Sequence, residues 1–351
     1  MLTFPQVTSN LLVQLNQATD RTFVLPILMF FPTARCNSRC VSCDCWKADG
    51  ASDLSLEEIR RLVDELPGLH TRLVTFSGGE PTLRRDVYEI AAMFRARGMK
   101  LHLLTSGLFL ERDAAQVVEH FAEVTVSLDG HTASLYEQIR GVNGLGVVER
   151  GVRRLKALAP RIPVRARSTL HRHNFRELPA IIDKAHAMGL DGISFLSADV
   201  TSESFGRGAA TASVSIPSLR ALLLNPDEID EFSGVVERTI SSHAADFASR
   251  FVAESPDKLR RLPKYYAAHW GLGPFPPTLC NAPWASAVVE ADGTVRPCFF
   301  HRSVGNVRER SLREILAGEM VTFRRGLDMA ADVTCQRCVC TLQVGLRTPL
   351  G

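Results

Sequence analysis

The sequence lacks a strong charge imbalance, because 41 basic and 38 acidic residues leave a formal net charge of +3 over 351 residues. Such a balance argues against a nucleic acid or an anionic membrane as the main partner. A hydrophobic content of 45% and a charged content of 23% are ordinary for a soluble globular enzyme. The length is enough for a sizeable core, in one large domain or two smaller ones.

The sequence also lacks a long hydrophobic run and a recognisable signal peptide. The longest apolar run near the start, residues 23–34, contains Pro26 and Pro32 and is shorter than the ~20 residues of a spanning helix. The first twenty residues contain no basic segment followed by a small-residue cleavage site. We therefore expect a cytoplasmic protein, in which clustered cysteines act as metal or redox ligands rather than as disulfides.

The nine cysteines of the chain are grouped rather than scattered. Four of them fall within ten positions, directly after the first apolar run: Cys36, Cys40, Cys43 and Cys45. The other five form a pair and a triplet in the last quarter of the chain: Cys280 and Cys298, then Cys335, Cys338 and Cys340. Buried small hydrophobic residues would be scattered, so the grouping indicates sites at which thiolates bind metal.

Strand-like and helix-like segments alternate at least five times between the first two cysteine groups. The strand-like runs are residues 24–31, 73–76, 100–104, 124–128, 164–169 and 192–196. The helical patterns carry end signals: Ser55 and Glu58 form a capping box, and Gly98 and Gly189 suit left-handed C-terminal caps. The alternation predicts an α/β fold with a parallel sheet, namely a partial (β/α)6 TIM-like barrel with its chemistry at the carboxyl ends of the strands.

Four successive predicted strands end in residues that suit a metal or a cofactor. The first is followed by the four cysteines, and the second by Gly78-Gly79-Glu80-Pro81. The third ends at Thr105 to Gly107, and the fourth at Ser127 to Gly130. Glycines let the backbone approach a ligand closely, and Glu80 adds a carboxylate. A GGEP turn one strand after a Cys-x3-Cys-x2-Cys loop is far more specific than either motif alone.

The pairing of Cys36-x3-Cys40-x2-Cys43 with the GGEP turn resembles the radical S-adenosylmethionine (radical SAM) superfamily, over roughly residues 24–200. The resemblance implies that the three thiolates, which are soft ligands suited to iron–sulfur centres, hold a 4Fe–4S cluster with one iron free of protein ligands. It implies that SAM binds this iron and is cleaved to a 5′-deoxyadenosyl radical, which removes a hydrogen atom from the substrate. A reductant such as flavodoxin or ferredoxin would supply the electron.

The same resemblance implies a set of SAM contacts on the strand ends. The GGEP turn would hold the SAM ammonium, a strand-end serine would contact SAM, an arginine would pair with the SAM carboxylate, and a backbone segment would lie near the adenine. These positions are Gly78, Gly79, Glu80, Ser127, Arg140 and Leu196. The alternative for Arg140 is an ordinary charge on a solvated helix face.

Two residues of the cysteine loop have more than one interpretation, and a third departs from the family pattern. Ser42 stands where the family often has an aromatic residue, and Trp46 either supplies the missing apolar cover or packs beside the loop. For Cys45 we favour a packed small residue over a redox-active thiol near the radical.

The C-terminal cysteines resemble the SPASM and twitch domains of the same superfamily, over roughly residues 275–345. Strand-like runs flank Asp292-Gly293, a strong hairpin signal that brings Cys280 and Cys298 towards one site. The chain has fewer cysteines than a full SPASM domain, so the resemblance implies one auxiliary 4Fe–4S cluster. Its ligands would be Cys280, Cys298, Cys335 and Cys338, with Cys340 either a substitute for Cys338 or free. A structural zinc site is the alternative, because four thiolates also suit tetrahedral zinc.

These motifs suggest four units along the chain. They are an N-terminal extension (1–23), a radical SAM core barrel (24–200), a linker with a helical segment (201–274) and an auxiliary cluster domain (275–345). Within the third unit, residues 201–215 are typical of a loop, and the five prolines between 256 and 279 suggest a connector rather than a regular element. Its aromatic residues line a substrate cavity or form a satellite core: Tyr265, Tyr266 and Trp270.

We expect the enzyme to oxidise or epimerise a small molecule. Only 23 residues precede the first predicted strand, too few for the fused peptide-binding domain of many peptide-modifying members. The alternative is a maturase of ribosomally made peptides that works with a separate recognition protein. A purely structural metal module would not need the GGEP turn, and a nucleic-acid-modifying enzyme would need a basic appended domain.

One group of basic residues on and after the fifth predicted strand has two interpretations. These residues either hold an anionic group of the substrate or are ordinary surface charge: Arg165, Arg167, His171, Arg172 and His173.

Overall fold

A nine-stranded sheet organises the protein. The structure, a computed structural model, describes residues 4–207 and 219–348. The strand order is β6-β5-β4-β3-β2-β1-β7-β8-β9, parallel from β6 to β7 and antiparallel from β7 to β9. The strands are β1 Ile27–Phe30, β2 Leu73–Phe76, β3 Lys100–Thr105, β4 Glu123–Ser127, β5 Val164–Leu170, β6 Ile193–Ser197, β7 Ser286–Val289, β8 Thr294–Arg296 and β9 Gly305–Asn306.

Helices alternate with the first six strands, which confirms the predicted α/β partial barrel. The α2 capping box forms as predicted: the Glu58 amide donates to Ser55 Oγ, and the Ser55 amide donates to the Glu58 carboxylate. The helices are α1 Phe4–Thr19, α2 Leu56–Glu65, α3 Val87–Ala96, α4 Leu110–His120, α5 Ala133–Arg140, α6 Leu145–Leu158, α7 Leu178–Ala187, α8 Pro226–Ser242, α9 Ala244–Ser249, α10 Pro256–Leu259, α11 Arg261–His269, α12 Ala282–Ala285, α13 Leu312–Ala317, α14 Glu319–Gly326 and α15 Val333–Gln336. Among the described residues, no helix is both long enough and apolar enough to cross a bilayer.

The two faces of the sheet differ in polarity, because side chains alternate along each strand. The outward face of β1 and β2 is fully buried against helices, and Phe76 contacts the rings of Phe30, Phe94 and Phe121 at centroid distances of 5.3–5.5 Å. The inward face borders a lumen and carries a thioether and several polar groups: Met29, Thr75, His102, Thr125 and Arg167. The core therefore lies between sheet and helices, and the lumen is left for ligands.

The N-terminal extension contains a helix that the sequence analysis did not predict. In α1, the side-chain amide of Asn10 donates to the Leu346 carbonyl at 3.0 Å, and the side-chain amide of Asn16 donates to the Trp284 carbonyl at 2.7 Å. These long-range bonds fasten the start of the chain to its C-terminal region.

The proline-rich stretch corrects one prediction, because residues 256–269 are helical rather than a connector. Pro256 occupies the first turn of α10 and Pro263 the first turn of α11, where a missing backbone N–H costs nothing. Just before them the chain pairs with β6, since the Ala253 amide donates to the Ile193 carbonyl at 2.9 Å. Most of the predicted loop 201–215 lies outside the described residues, and the division into four units stays a prediction.

Phe76→Ala tests the packing between sheet and helices. Phe76 is fully buried in an aromatic cluster, so the substitution is expected to lower the free energy of unfolding by about 3–5 kcal/mol. Anaerobic urea denaturation measures the loss. Leu158→Ala, at a position 43% exposed, is the control and should cost less than about 1 kcal/mol. Equal losses in the two variants would contradict the assignment of this cluster as the core.

Candidate active site

One cavity of about 260 Å³ collects the residues that the sequence analysis assigned to the first cluster and to SAM. It lies at the carboxyl ends of the parallel strands, as expected for this fold. The residues that border it include Cys36, Cys40, Cys43, Gly78, Gly79, Glu80, Ser127, Arg140 and Leu196, together with the additional Cys45.

The GGEP turn packs directly against the backbone of the cysteine loop. The Gly79 amide donates to the Thr33 carbonyl at 3.1 Å, and the Glu80 amide donates to the Arg35 carbonyl at 2.7 Å. A Cβ atom on Gly79 would lie 2.0 Å from the Arg35 carbonyl oxygen, so no side chain fits there. The two motifs are therefore parts of one backbone structure.

Glu80 is a buried brace between two strand ends. Its Oε1 accepts hydrogen bonds from the hydroxyls of Thr82 at 2.6 Å and Thr105 at 2.8 Å, and its Oε2 accepts one from the Ser106 amide at 2.6 Å. These bonds satisfy most of the carboxylate and fix its orientation. The main role visible for Glu80 is thus to join the ends of β2 and β3 at the rim of the cavity.

Helix α5 holds a second side of the cysteine loop. The Arg39 amide donates to the Arg140 carbonyl at 2.9 Å, and the Val41 amide donates to the Ile139 carbonyl at 3.0 Å. The Arg140 side chain is largely buried and pairs with Asp129 at 3.1 Å. Arg140 therefore faces the cavity rather than solvent, which rules out the solvated-helix interpretation.

A third side is held by Arg207, which the sequence analysis missed. Its Nη2 donates to the Ser42 carbonyl at 2.8 Å, and its Nη1 pairs with Asp199 at 2.9 Å, with both side chains 2% exposed. The nearby Asp44 amide donates to the Phe205 carbonyl at 2.8 Å. A lone basic residue in a small polar stretch gives no sequence signal of burial.

The chemical environment of the thiols suits a metal cluster. Burial raises the pKa of Cys36 to about 11 and that of Cys40 to about 12, and the charges of neighbouring thiolates add to both shifts. A hydrogen bond from Cys45 lowers the pKa of Cys43 to about 7. Ionising several buried thiols together is costly unless cations balance them, and binding iron supplies that balance. These residues fit a thiolate-held iron–sulfur cluster.

Two residues of the loop had alternative interpretations: Cys45 and Trp46. Cys45 borders the cavity and hydrogen-bonds Cys43, and its interpretation as a packed small residue rather than a redox-active thiol stays a prediction. Trp46 is 38% exposed, and the charged groups of Arg39 and Lys47 lie 5.8 and 5.4 Å from its ring centroid. Trp46 borders a surface cavity together with Cys36, so its role as apolar cover beside the cluster loop stays a prediction, whereas its exposure argues against a place in the core.

A second cavity, of about 290 Å³, is bordered by all five C-terminal cysteines: Cys280, Cys298, Cys335, Cys338 and Cys340. The predicted hairpin forms, with β7 antiparallel to β8 and Gly293 at a φ of +86° in the turn. His301, another residue that the sequence analysis missed, places Nε2 3.3 Å from Cys335 Sγ. Burial raises the pKa of Cys298 to about 11 and that of Cys335 to about 12, so this group also fits a metal centre.

The two cavities adjoin one another along the lumen. Six residues border both: Met29, Leu104, Arg167, Phe299, Phe300 and Cys340. The two cysteine groups therefore face a shared space rather than separate surfaces.

The basic residues that were candidates for holding an anionic group of the substrate differ in their surroundings. Arg165 pairs with Glu123 and Arg172 with Glu228, whereas Arg167 faces the lumen. His171 is buried, and burial lowers its pKa to about 3.

The two tyrosines of α11 belong to the core, whereas Trp270 at its end is exposed, and none of the three borders either cavity. Both tyrosines are buried, and the Tyr265 hydroxyl donates to the Ala198 carbonyl at 3.2 Å, while the Ala198 amide donates to the Tyr266 hydroxyl at 2.9 Å. Trp270 is 52% exposed, and its indole N–H donates to the Leu224 carbonyl at 2.7 Å.

Two families match this chain. Residues 30–185 match the family described as the radical SAM superfamily. Residues 280–339 match SPASM, described as an iron–sulfur cluster-binding domain. The first match covers the cysteine loop and the GGEP turn, and the second covers Cys280 to Cys338.

Relatives match most of the chain at modest identity. Fe-coproporphyrin III synthase of Methanosarcina barkeri is 28% identical over 342 residues, covering 89% of this chain and 80% of that protein. PqqA peptide cyclase of Ruegeria pomeroyi is 28% identical over 343 residues, covering 92% of this chain and 82% of that protein.

Solved structures share the fold. Streptococcus suis SuiB bound to S-adenosylmethionine aligns with a TM-score of 0.63 at 14% identity, covering 95% of this chain and 76% of that one. Native anSMEcpe with bound AdoMet aligns with a TM-score of 0.63 at 17% identity, covering 88% of this chain and 84% of that one. The barrel and the C-terminal region are thus arranged as in those proteins.

Gly79→Ala tests the contact between the two motifs. The added methyl group meets the Arg35 carbonyl, so the cysteine loop must move, and about four irons per chain should be lost after anaerobic reconstitution. Iron and sulfide assays measure the loss. Gly326→Ala is the matched control, because Gly326, like Gly79, lacks a positive φ, and nothing lies within 4 Å of its Cβ position. Full iron loading of Gly79→Ala would contradict the proposed role of this contact.

Proposed function

We propose that this chain, which belongs to the radical SAM superfamily and carries a C-terminal SPASM domain, oxidises one arm of a substrate bound in the lumen. The shared border of the two cavities carries the proposal, because it places both cysteine groups around one space. A 4Fe–4S cluster, SAM and auxiliary iron–sulfur chemistry belong to these two families. When bound, they supply the 5′-deoxyadenosyl radical and a path for the electron that the substrate loses.

The first cluster would be held by Cys36, Cys40 and Cys43. Their support is rigid, because the backbone of the loop is bonded to the GGEP turn, to α5 and to Arg207. A fixed loop keeps the thiol groups arranged before the metal arrives, which favours cluster assembly.

SAM would lie against the strand ends that line the first cavity. Gly78 and Gly79 expose backbone there without side chains, and Ser127 and Leu196 border the same space. Arg140 would pair with the SAM carboxylate, since its guanidinium faces the cavity and its Nε has no partner among the described residues. The Asp129 contact holds that guanidinium in place.

The auxiliary cluster would be held by Cys280, Cys298, Cys335 and Cys338. Cys338 is half-buried and Cys340 is exposed, which favours Cys338 as the fourth ligand. Four protein ligands would leave no iron open to substrate, so the SPASM site would serve electron transfer rather than substrate binding. The rings of Phe299 and Phe300, which border both cavities, would keep water from the space between the sites.

The size of the lumen suggests how the substrate binds. Cavities of about 260 and 290 Å³ must also receive SAM and the clusters, so we infer that only an arm of the substrate enters. A peptide side chain is the first candidate, because PqqA peptide cyclases are among the relatives that match most of the chain. This replaces the free small molecule expected from the sequence.

A small molecule stays as the second candidate because of one relative. Fe-coproporphyrin III synthase matches 342 residues at 28% identity, and its name points to a tetrapyrrole. A tetrapyrrole is also too large for the lumen and would insert only a side arm.

The Cys36/Cys40/Cys43→Ala triple variant tests the catalytic proposal. Anaerobically reconstituted wild type should hold about eight irons and release 5′-deoxyadenosine from SAM under dithionite, whereas the triple variant should hold about four and release none.

PqqA peptide and iron coproporphyrin III are then added separately to the reconstituted wild type. Faster 5′-deoxyadenosine release with the peptide, or an absorption shift of the porphyrin, selects between the substrate classes. Low iron in wild type, or no stimulation and no binding by either compound, would refute the proposal.

Cys338→Ala and Cys340→Ala form a matched pair for the second site. Cys338→Ala should lose the auxiliary cluster signal in electron paramagnetic resonance (EPR) spectra of the reduced protein, whereas Cys340→Ala should keep it, because Cys340 is exposed. The reverse pattern would make Cys340 the ligand. Zinc in place of iron in both variants and in wild type would show a structural zinc site.

A further inference from the structure

We propose that Arg167 binds a carboxylate of the substrate inside the lumen, between the two cysteine groups. The inference rests on the proposed function for the existence of a substrate in the lumen. Its own evidence is the set of contacts made by one side chain. It narrows the substrate class to molecules whose inserted arm carries a carboxylate.

The position of Arg167 is set by β5. The residue pairs in register with Ser127 of β4 and with Ser194 of β6, so its immediate neighbours in the sheet are hydroxyl groups. Its side chain borders both the first and the second cavity. Arg167 therefore lies where the space near SAM meets the space near the C-terminal cysteines.

Among the described residues, the guanidinium of Arg167 makes one side-chain hydrogen bond. Its Nε donates to Ser194 Oγ at 3.2 Å, which orients the group. Within the described part of the chain, no carboxylate lies within 4.0 Å of it. The two terminal nitrogens are therefore available to a ligand, and their planar fork matches a carboxylate.

Other arginines around the barrel show what is missing at Arg167. Arg165 on the same strand pairs with Glu123, Arg140 pairs with Asp129, and Arg207 pairs with Asp199. The charge of Arg167 also acts on Glu254, whose carboxylate already accepts from the Phe195 amide at 2.9 Å and lies 3.6 Å from Lys258.

The second cavity makes an unpaired cation costly. Arg167 is the one Arg, Lys, Asp or Glu among the described residues that border it, and most of the surrounding surface is apolar. Its imidazole neighbour His102 does not compete for an anion, because burial lowers the pKa of His102 to about 4 and leaves it neutral near pH 7. A positive charge in apolar surroundings needs an anionic partner.

Two resident groups are rival partners for Arg167. The SAM carboxylate has Arg140, whose guanidinium is already held towards the first cavity by Asp129. The C-terminal cysteines offer negative thiolates, and a role in balancing that charge predicts a change in the auxiliary EPR signal when Arg167 is replaced.

The test uses the reconstituted protein with both clusters and SAM bound, and two probes of one shape: 4-phenylbutyrate and the neutral 4-phenylbutyramide. Calorimetric titration should show that wild type binds the acid at least about tenfold more tightly than the amide. Arg167→Gln should lose this preference, and Arg167→Lys should keep part of it. Arg165→Gln, two residues earlier on β5, is the control and should bind like wild type.

Three results would overturn the assignment: equal binding of acid and amide by wild type, no binding of the acid, or an intact preference in Arg167→Gln. An altered auxiliary EPR signal with that preference intact would assign Arg167 to the cluster instead. Iron content and SAM affinity of Arg167→Gln should match wild type, which checks its folding. The titration needs no turnover, so failure of the proposed function, seen as absent 5′-deoxyadenosine, is distinguishable from failure of this proposal.

Discussion

The backbone hydrogen bonds of the cysteine loop are the constraint on which the rest of this structure depends. A loop that presents three thiols to one cluster cannot be held by its own secondary structure, since it contains only a short 3-10 turn. Three separate elements hold it instead: the GGEP turn after β2, the end of α5 and the Arg207–Asp199 pair after β6. Each follows a different strand, so the site requires the complete barrel.

The spacing between the two cysteine groups follows from one pair of strands. β1 leads directly into the first cysteine loop. β7, the first strand of the hairpin that leads to Cys298, pairs with β1 in parallel register from Ile27 with Ser286 to Phe30 with Val289. The C-terminal region therefore continues the barrel sheet and is not joined to the barrel by a linker alone. A shared sheet fixes the distance over which an electron would pass, and the lumen between the sites is where we propose that the substrate binds.

Much of this arrangement could be predicted from the sequence because its signals are local. The six barrel strands, the α2 capping box and the turn at Gly293 each depend on neighbouring residues, and each formed as predicted. Arg207, His301 and the helix α1 were missed because their roles depend on contacts with distant parts of the chain. The helices that contain Pro256 and Pro263 were predicted as a connector because proline breaks the interior of a helix. Both prolines lie in a first turn, where proline is tolerated.

The most direct test of the central claim is the iron anomalous scattering of crystals of the reconstituted protein with SAM bound. The account predicts two iron clusters facing one lumen, one on Cys36, Cys40 and Cys43 and the other on the C-terminal cysteines, with Arg167 bordering the space between them. A zinc signal at the C-terminal cysteines would remove the electron path. Iron absent from the first cysteine loop, or two clusters separated by packed protein, would contradict the account.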